Sequence, residues 1–151
     1  MSGPRHSNGR VNGARPVLRR RSDGASRPAE RLGFLLVPRF SLIAFASAIE
    51  PLRLANRTAG RALYAWRLYS PGGGPVQASN GIEIQAASSY ADARDLDAAI
   101  VCGGIDVQTF DHRALIAVLR RLSTFGAALG AVCTGTWVLA KARLLDGHVS
   151  T

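Results

Sequence analysis

The chain has 151 residues, 47% of them hydrophobic, and a formal net charge of +9. This length suits one domain, and this apolar fraction can supply its core. No apolar run approaches the roughly 18 residues of a membrane span, which argues against a membrane partner and for a soluble, cytoplasmic protein. Its two cysteines, Cys102 and Cys133, follow no secretion signal, so both are expected to be free thiols in a reducing cytosol.

The positive charge is concentrated at the amino terminus. Residues 1–31 hold eight arginines against Asp23 and Glu30, a net +6, which leaves +3 for the other 120 residues. Because this segment has few large apolar side chains, it is predicted to be a disordered tail, with residues 32–151 forming one folded domain. A competing interpretation is that the tail binds nucleic acid without sequence preference.

The first half of the domain shows strands separated by a helix. Residues 32–37 are a short apolar run typical of a central parallel strand. Ser41 is predicted to cap the helix that follows, and Pro51 to kink or restart it. Residues 64–70 alternate like a second strand. The Pro-Gly-Gly-Gly-Pro segment after them is predicted to be a hairpin turn, because it lacks the lysine and helix of a phosphate loop.

The second half repeats the pattern. Residues 98–102 and 128–132 are predicted to be strands, the latter buried on both faces, and Asp111 is predicted to cap the helix between them. Strands that alternate with helices indicate an α/β fold with a mostly parallel sheet. Trp66 and Trp137 are expected in the core. The apolar face of the intervening helix consists of Leu115, Ile116, Val118, Leu119 and Leu122.

A tight turn joins the last strand to a helix predicted over residues 136–142. Between them there is room only for Cys133, Thr134 and Gly135. A side chain on so sharp a strand-to-helix turn projects at the carboxyl end of the sheet, beside the free N–H groups of the helix. Helix amino termini favour the thiolate form of a cysteine, so Cys133 is the candidate nucleophile.

Ligand sites in such sheets form beyond the carboxyl ends of the strands. Residues 38–41, 103–105 and 133–135 should meet there. Their glycines would let backbone N–H groups approach an oxyanion or carboxylate. The spacing of Asp92, Asp95 and Asp97 lacks the glycine and distal glutamate of a calcium loop, and neither a metal nor a cofactor is predicted. The predicted ligand-contacting residues are Phe40, Ser41, Gly103, Gly104, Ile105, Cys133, Thr134 and Gly135.

Four sequence segments carry a family resemblance. They read V-P-R-F-S, E-P-L-R-L-A-N, V-C-G-G and A-V-C-T-G-T-W-V-L-A-K-A-R-L-L-D-G. In this order and spacing they resemble the ThiJ/PfpI domain of the class I glutamine amidotransferase-like superfamily. More narrowly, they resemble the amino-terminal domain of AraC-family transcriptional regulators of the GlxA type. The resemblance spans residues 31–151 and implies a flavodoxin-like sandwich with a strand-Cys-helix elbow, whose carboxyl-terminal elements are missing from this fragment.

The resemblance also implies a function. Such domains sense a small-molecule effector, such as an amine or amino-acid derivative, and form homodimers, while DNA is read by a carboxyl-terminal helix-turn-helix region absent from this chain. Thr134 stands where catalytic members often carry a histidine, and Ala44 lies near the place of their acid. A cysteine without a base is a poor nucleophilic catalyst, so the resemblance favours a domain that binds without chemistry.

The alternative interpretation is an enzyme. Here Cys133 would be the nucleophile of a ThiJ/PfpI-type hydrolase or glyoxalase-like protein, with His148 or Glu50 as its base. The other histidines are less suitable, because His6 lies in the tail and His112 begins a helix expected to be distant. Cys102, at the end of a buried strand, is expected to be structural.

Overall fold

The computed structural model describes residues 28–148, so most of the predicted tail, residues 1–27, lies outside the described part. Strand β1 starts at Glu30, two residues before the predicted domain boundary, and Glu30 and Arg31 pair with Tyr64 and Ala65. The elements are β1 (Glu30–Leu36), α1 (Leu42–Ala59), β2 (Tyr64–Ser70), β3 (Pro75–Gln77), β4 (Glu83–Gln85), β5 (Ser88–Ser89), β6 (Ala98–Cys102), α2 (Arg113–Thr124), β7 (Ala128–Val132) and α3 (Gly135–Lys141).

Five strands form one sheet in the order β5-β2-β1-β6-β7, and every pair in it is parallel. Strands β3 and β4 form a separate antiparallel hairpin. The predicted α/β class with a mostly parallel, flavodoxin-like sheet is therefore confirmed. Within residues 28–148, none of the helices is long and apolar enough to cross a membrane.

The central strand β1 supplies side chains to both faces of the sheet. Successive residues of a strand point to opposite faces, so an apolar run can be buried on both. Phe34 and Leu36 pack toward α1 and the β3–β4 hairpin, where Phe34 and Phe45 meet edge to face at 5.5 Å. Leu35 and Val37 pack on the other face, against α2 and α3.

Helix α1 begins and ends where the sequence predicts, but its middle differs. The Ser41 hydroxyl accepts the Ala44 N–H at 3.4 Å, and Gly60 ends the helix in the left-handed conformation. The expected restart at Pro51 is wrong, because α1 continues through this residue. Phe45 before it and Leu52 after it pack into the same cluster, and this shared burial outweighs the one backbone hydrogen bond that proline removes.

The predicted hairpin turn at residues 71–75 is also wrong. Strands β2 and β3 belong to different sheets, so this loop is a crossing between them. The Ser70 hydroxyl fixes it by accepting the N–H groups of Gly73 and Gly74 at 3.1 and 3.0 Å. The hairpin instead joins β3 to β4, because Val76 and Ile84 pair there and pack into the α1 cluster.

Three smaller expectations need correction. The residue at the amino-terminal cap of α2 is His112, although the Asp111 carboxylate still accepts the Arg113 N–H at 3.0 Å. Strand β7 is only partly buried, because it lies at an edge of the described sheet. Trp137 is 37% exposed, so it is not a core residue, and the Lys141 ammonium lies 4.7 Å from its ring centre. The predicted buried face of α2 is confirmed, with Ile116 partly buried.

The buried Cys102 thiol and Tyr90 hydroxyl make the free energy of unfolding depend on pH in the alkaline range. Burial raises the pKa of the Cys102 thiol to about 12, and burial also raises the pKa of Tyr90, whose hydroxyl donates to the Leu36 carbonyl at 2.6 Å. A group whose folded pKa is raised stabilises the fold below its ordinary pKa and loses this contribution as pH rises toward the folded value.

We therefore expect the free energy of unfolding to fall from about pH 9 upward, by about 1.4 kcal/mol per pH unit for Cys102 alone. Urea unfolding at pH 7.5, 9 and 10.5 measures this slope. Cys102→Ala should flatten it, whereas Cys133→Ala, which removes an exposed thiol, is the matched control. An equal slope in Cys102→Ala and the unsubstituted chain would contradict the assignment.

Candidate functional site

The loops that follow β1, β6 and β7 meet at the carboxyl edge of the sheet, as the sequence predicts. Together with the β3–β4 hairpin they line a surface cavity of about 430 Å³ that is open to solvent. Six of its lining residues have polar side chains, one is a glycine and one is an isoleucine. The lining consists of Ser41, Ser79, Gly104, Ile105, Asp106, Gln108, Cys133 and Thr134.

Cys133 occupies a sharp elbow between β7 and α3. Its φ is +54°, a left-handed conformation that costs a non-glycine residue of order 1–2 kcal/mol, and its side chain is exposed. The next residue, Thr134, closes the turn by donating its hydroxyl to the Gly104 carbonyl at 2.6 Å. The strand-Cys-helix elbow predicted from the sequence is therefore present, with α3 starting one residue earlier than expected.

Glycines allow the elbow to lie directly on the neighbouring strand. A Cβ on Gly103 would overlap the backbone nitrogen of Gly135, and a Cβ on Gly135 would overlap the Val101 carbonyl oxygen. A Cβ on Gly104 would meet the Arg39 carbonyl oxygen in the same way. The main chains of the three loops are thus in contact, with no side chain between them.

Phe40 connects these loops from below. Its backbone forms bridges to Ala78 and Gly104, and its carbonyl accepts the Ser79 N–H at 2.9 Å. The ring is 0% exposed and meets Phe45 edge to face at 5.8 Å. Phe40 therefore supports the site from the core and does not line the cavity, contrary to its predicted role in contacting ligand.

The eight predicted contact residues divide into two groups. Phe40, Gly103 and Gly135 are buried behind the cavity, where they hold the backbone in place. The other five, Ser41, Gly104, Ile105, Cys133 and Thr134, line it, and ligand contact at these positions stays a prediction.

Three further residues line the cavity and were not predicted from the sequence. Ser79 comes from the hairpin, whereas Asp106 and Gln108 come from a short 3₁₀ segment, Val107–Thr109, and the residue before it. The sequence does indicate Asp106 by its position. It lies two residues after the glycine pair that follows β6, and it is the first charged residue after that pair.

An ion pair joins the lining residue Asp106 to Arg39, which is not part of the lining. Arg39 Nη1 lies 2.6 Å from Asp106 Oδ2, and about half of each side chain is exposed, 49% and 45%. Both residues have left-handed backbones, with φ of +62° and +56°. With Cys133, one such residue follows each of three neighbouring strands, and Asp95 and Arg143 share this conformation elsewhere in the described residues.

Neither proposed base lies in the cavity lining. Glu50 pairs with Arg53 at 2.6 Å on the exposed side of α1, and the Arg53 hydrogen bond lowers the pKa of Glu50. His148 is exposed after the final described turn, where its N–H donates to the Leu145 carbonyl.

His112 lies next to α3, contrary to the expectation that it is distant from the elbow. Its buried ring contacts Trp137 on α3 edge to face at 5.5 Å, and its Nε2 lies 2.5 Å from the Val107 carbonyl. It is a packing residue behind the site and is also absent from the lining. Across residues 28–148 we find no cluster of three or more histidine, cysteine or acidic side chains that could hold a metal ion.

A parallel α/β sheet with an exposed cysteine on a left-handed strand-to-helix elbow defines the class of α/β proteins built on a nucleophile elbow. The model of the DJ-1/PfpI family matches residues 34–151. The chain belongs to the DJ-1/PfpI family.

Its relatives include transcriptional regulators. It is 45% identical over 123 residues to the HTH-type transcriptional regulator GbdR of Pseudomonas aeruginosa, covering 82% of this chain and 34% of that protein. To the HTH-type transcriptional regulator GlxA of Rhizobium meliloti it is 43% identical, covering 82% and 38%. The chain thus spans about a third of the length of these curated relatives.

Solved structures agree on the fold. An AraC family transcriptional regulator from Pseudomonas putida superposes with a TM-score of 0.72 at 30% identity, covering 79% of this chain and 64% of that chain. A DJ-1 superfamily protein from Agrobacterium tumefaciens superposes with a TM-score of 0.62 at 21% identity, covering 78% and 60%.

The glycine contact at the elbow can be tested directly. Gly103→Ala should destabilise the chain by about 2 kcal/mol or more, because its Cβ would overlap backbone that cannot move aside without displacing α3. Gly130→Ala in β7 is the matched control: its Cβ would meet only Ile100 Cγ1 at 4.0 Å, so the change should be neutral or slightly stabilising. Urea unfolding of both variants measures the difference, and equal stabilities would refute the contact.

Proposed function

We propose that this chain is the effector-binding part of an AraC-type transcriptional regulator, and that it binds a small molecule at the Cys133 cavity without transforming it. The observation that carries the proposal is the 45% identity to GbdR across 82% of the chain. The 30% identity to the Pseudomonas putida regulator supports it from a second, structural comparison. DNA recognition would belong to a region outside the 151 residues.

The cavity favours binding over catalysis. Acyl transfer by a cysteine needs a base within hydrogen-bond reach and a group that orients that base. The lining includes no histidine, lysine or glutamate, and its one carboxylate, Asp106, is paired with Arg39 at 2.6 Å. Thr134 uses its hydroxyl hydrogen to close the elbow. Cys133 is therefore proposed to contact the ligand, while Cys102 is a buried structural thiol.

The remaining parts of the proposal follow from the relatives. A domain attached to a DNA-binding region would work in the cytoplasm, and a homodimer would present two such regions to a paired operator. The effector is proposed to be an amine or amino-acid derivative. Residues 1–27, whose seven arginines outnumber the one acidic residue, would add only non-specific attraction to DNA.

The DNA that follows the codon for Thr151 tests the attachment. We expect the reading frame to continue into two helix-turn-helix units, because the chain covers only 34% of the length of GbdR. Sequencing the genomic DNA and the transcript over several hundred bases decides the matter. A stop codon with no such sequence downstream would overturn the regulator proposal.

Binding without turnover is the second test. Isothermal calorimetry of the 151-residue chain against a panel of amines and amino acids should find a ligand that is recovered unchanged after incubation. Cys133→Ala should still bind it, weakened by about tenfold or less, because one thiol contact is lost. Turnover of an ester, amide or glyoxal substrate that disappears in Cys133→Ala would establish an enzyme instead.

A further inference from the structure

The charge of the cavity indicates which kind of ligand it accepts. Of the eight lining residues only Asp106 is charged, and the others are hydroxyls, an amide, a thiol, a glycine and one isoleucine. The chain as a whole carries +9. The lining carries one carboxylate, because the Arg39 guanidinium that pairs with Asp106 is not part of the lining.

The two carboxylate oxygens of Asp106 have different surroundings. Oδ2 accepts from Arg39 Nη1 at 2.6 Å. Among the residues that the structure describes, no group donates to Oδ1. An ionised carboxylate can accept about four hydrogen bonds, so Arg39 uses only part of this capacity. Asp106 therefore keeps acceptor capacity for a ligand beside its bond to Arg39.

The backbone at Asp106 is in the left-handed conformation. Asp106 has φ of +56°, and its carbonyl accepts both the N–H and the hydroxyl of Thr109, at 2.9 and 2.8 Å. Arg39 has φ of +62° and its N–H donates to Gln77. Exposed ion pairs contribute only about 0–1 kcal/mol, which is too little to impose two left-handed residues. The loops therefore set the position of the pair.

We propose that Asp106 is the specificity-determining residue of the cavity and that it accepts a cationic nitrogen group of the ligand. This inference rests on the proposed function for the existence of a ligand, but it makes its own claim about the charge that the cavity selects. The hydroxyls of Ser41 and Ser79 and the Gln108 amide are available for the uncharged polar groups of the same ligand.

The exposed thiol in the same cavity can report this charge. Two methanethiosulfonate reagents of similar size are used, one carrying a trimethylammonioethyl group and one a sulfonatoethyl group. Their rates of reaction with Cys133 are each divided by the rate with 2-mercaptoethanol, so that intrinsic reactivity cancels. Cys102 is 0% exposed, and Cys133→Ala shows which signal belongs to Cys133.

At low ionic strength we expect the cationic reagent to react faster with Cys133 than the anionic one, despite the net charge of +9. Asp106→Asn should lower the cation-to-anion rate ratio by roughly three- to tenfold, because a carboxylate in the same lining attracts one reagent and repels the other in water. Asp111→Asn is the matched control, because Asp111 also pairs with an arginine at 2.6 Å but lies outside the cavity lining.

A rate ratio that is unchanged in Asp106→Asn, or lowered equally in Asp111→Asn, would overturn the proposal. The salt dependence of the rate ratio in the unsubstituted chain gives a second test that does not depend on the folding of a variant. Raising the salt from about 0.02 to 0.5 M should bring its ratio toward one, because the screening length falls to a few ångströms, and an unchanged ratio would also overturn the proposal. A stop codon after Thr151 would refute the regulator proposal without altering these rates.

Discussion

Direct backbone contact between three loops is the constraint on which the site depends. Gly103 faces the nitrogen of Gly135, Gly135 faces the carbonyl of Val101, and Gly104 faces the carbonyl of Arg39. Because no Cβ separates these segments, the elbow after β7 lies against the end of β6, and the loop after β1 lies against Gly104. The loops that carry the lining residues are therefore held together by main-chain contacts at the end of the parallel sheet.

The core secures this arrangement from below. Strand β1 lies in the middle of the sheet and contributes large side chains to both faces, so it anchors α1 on one side and α2 and α3 on the other. Phe40 extends that anchoring to the edge, since its ring is fully buried while its backbone bridges the hairpin and Gly104. Burial of an aromatic ring stabilises a fold by several kcal/mol, enough to hold nearby residues in conformations they would otherwise avoid.

Much of this could be predicted from the sequence, because the elements depend on local patterns. Apolar runs and caps such as Ser41 located four of the five strands of the main sheet and all three helices, and the Cys-Thr-Gly turn located the elbow. The errors arose where distant partners decide the outcome. Pro51 stays inside a helix because residues before and after it pack into the same core cluster. The Gly-rich loop after β2 crosses between sheets because β3 forms its sheet with β4.

The site shows the same division more sharply. Residues on the three predicted loops were found, but Ser79 and Asp106 were not, because their place in the cavity follows from the bridge of Phe40 to the hairpin and from a left-handed backbone at Asp106. No local pattern requires an aspartate to adopt that conformation. Asp106, which gives the lining its charge, is thus harder to predict from the sequence than the glycines and the elbow that hold the loops together. A scaffold built this way can keep its elbow while its ligand changes, since lining side chains such as Asp106 and Gln108 can be replaced without disturbing the glycine contacts beneath them.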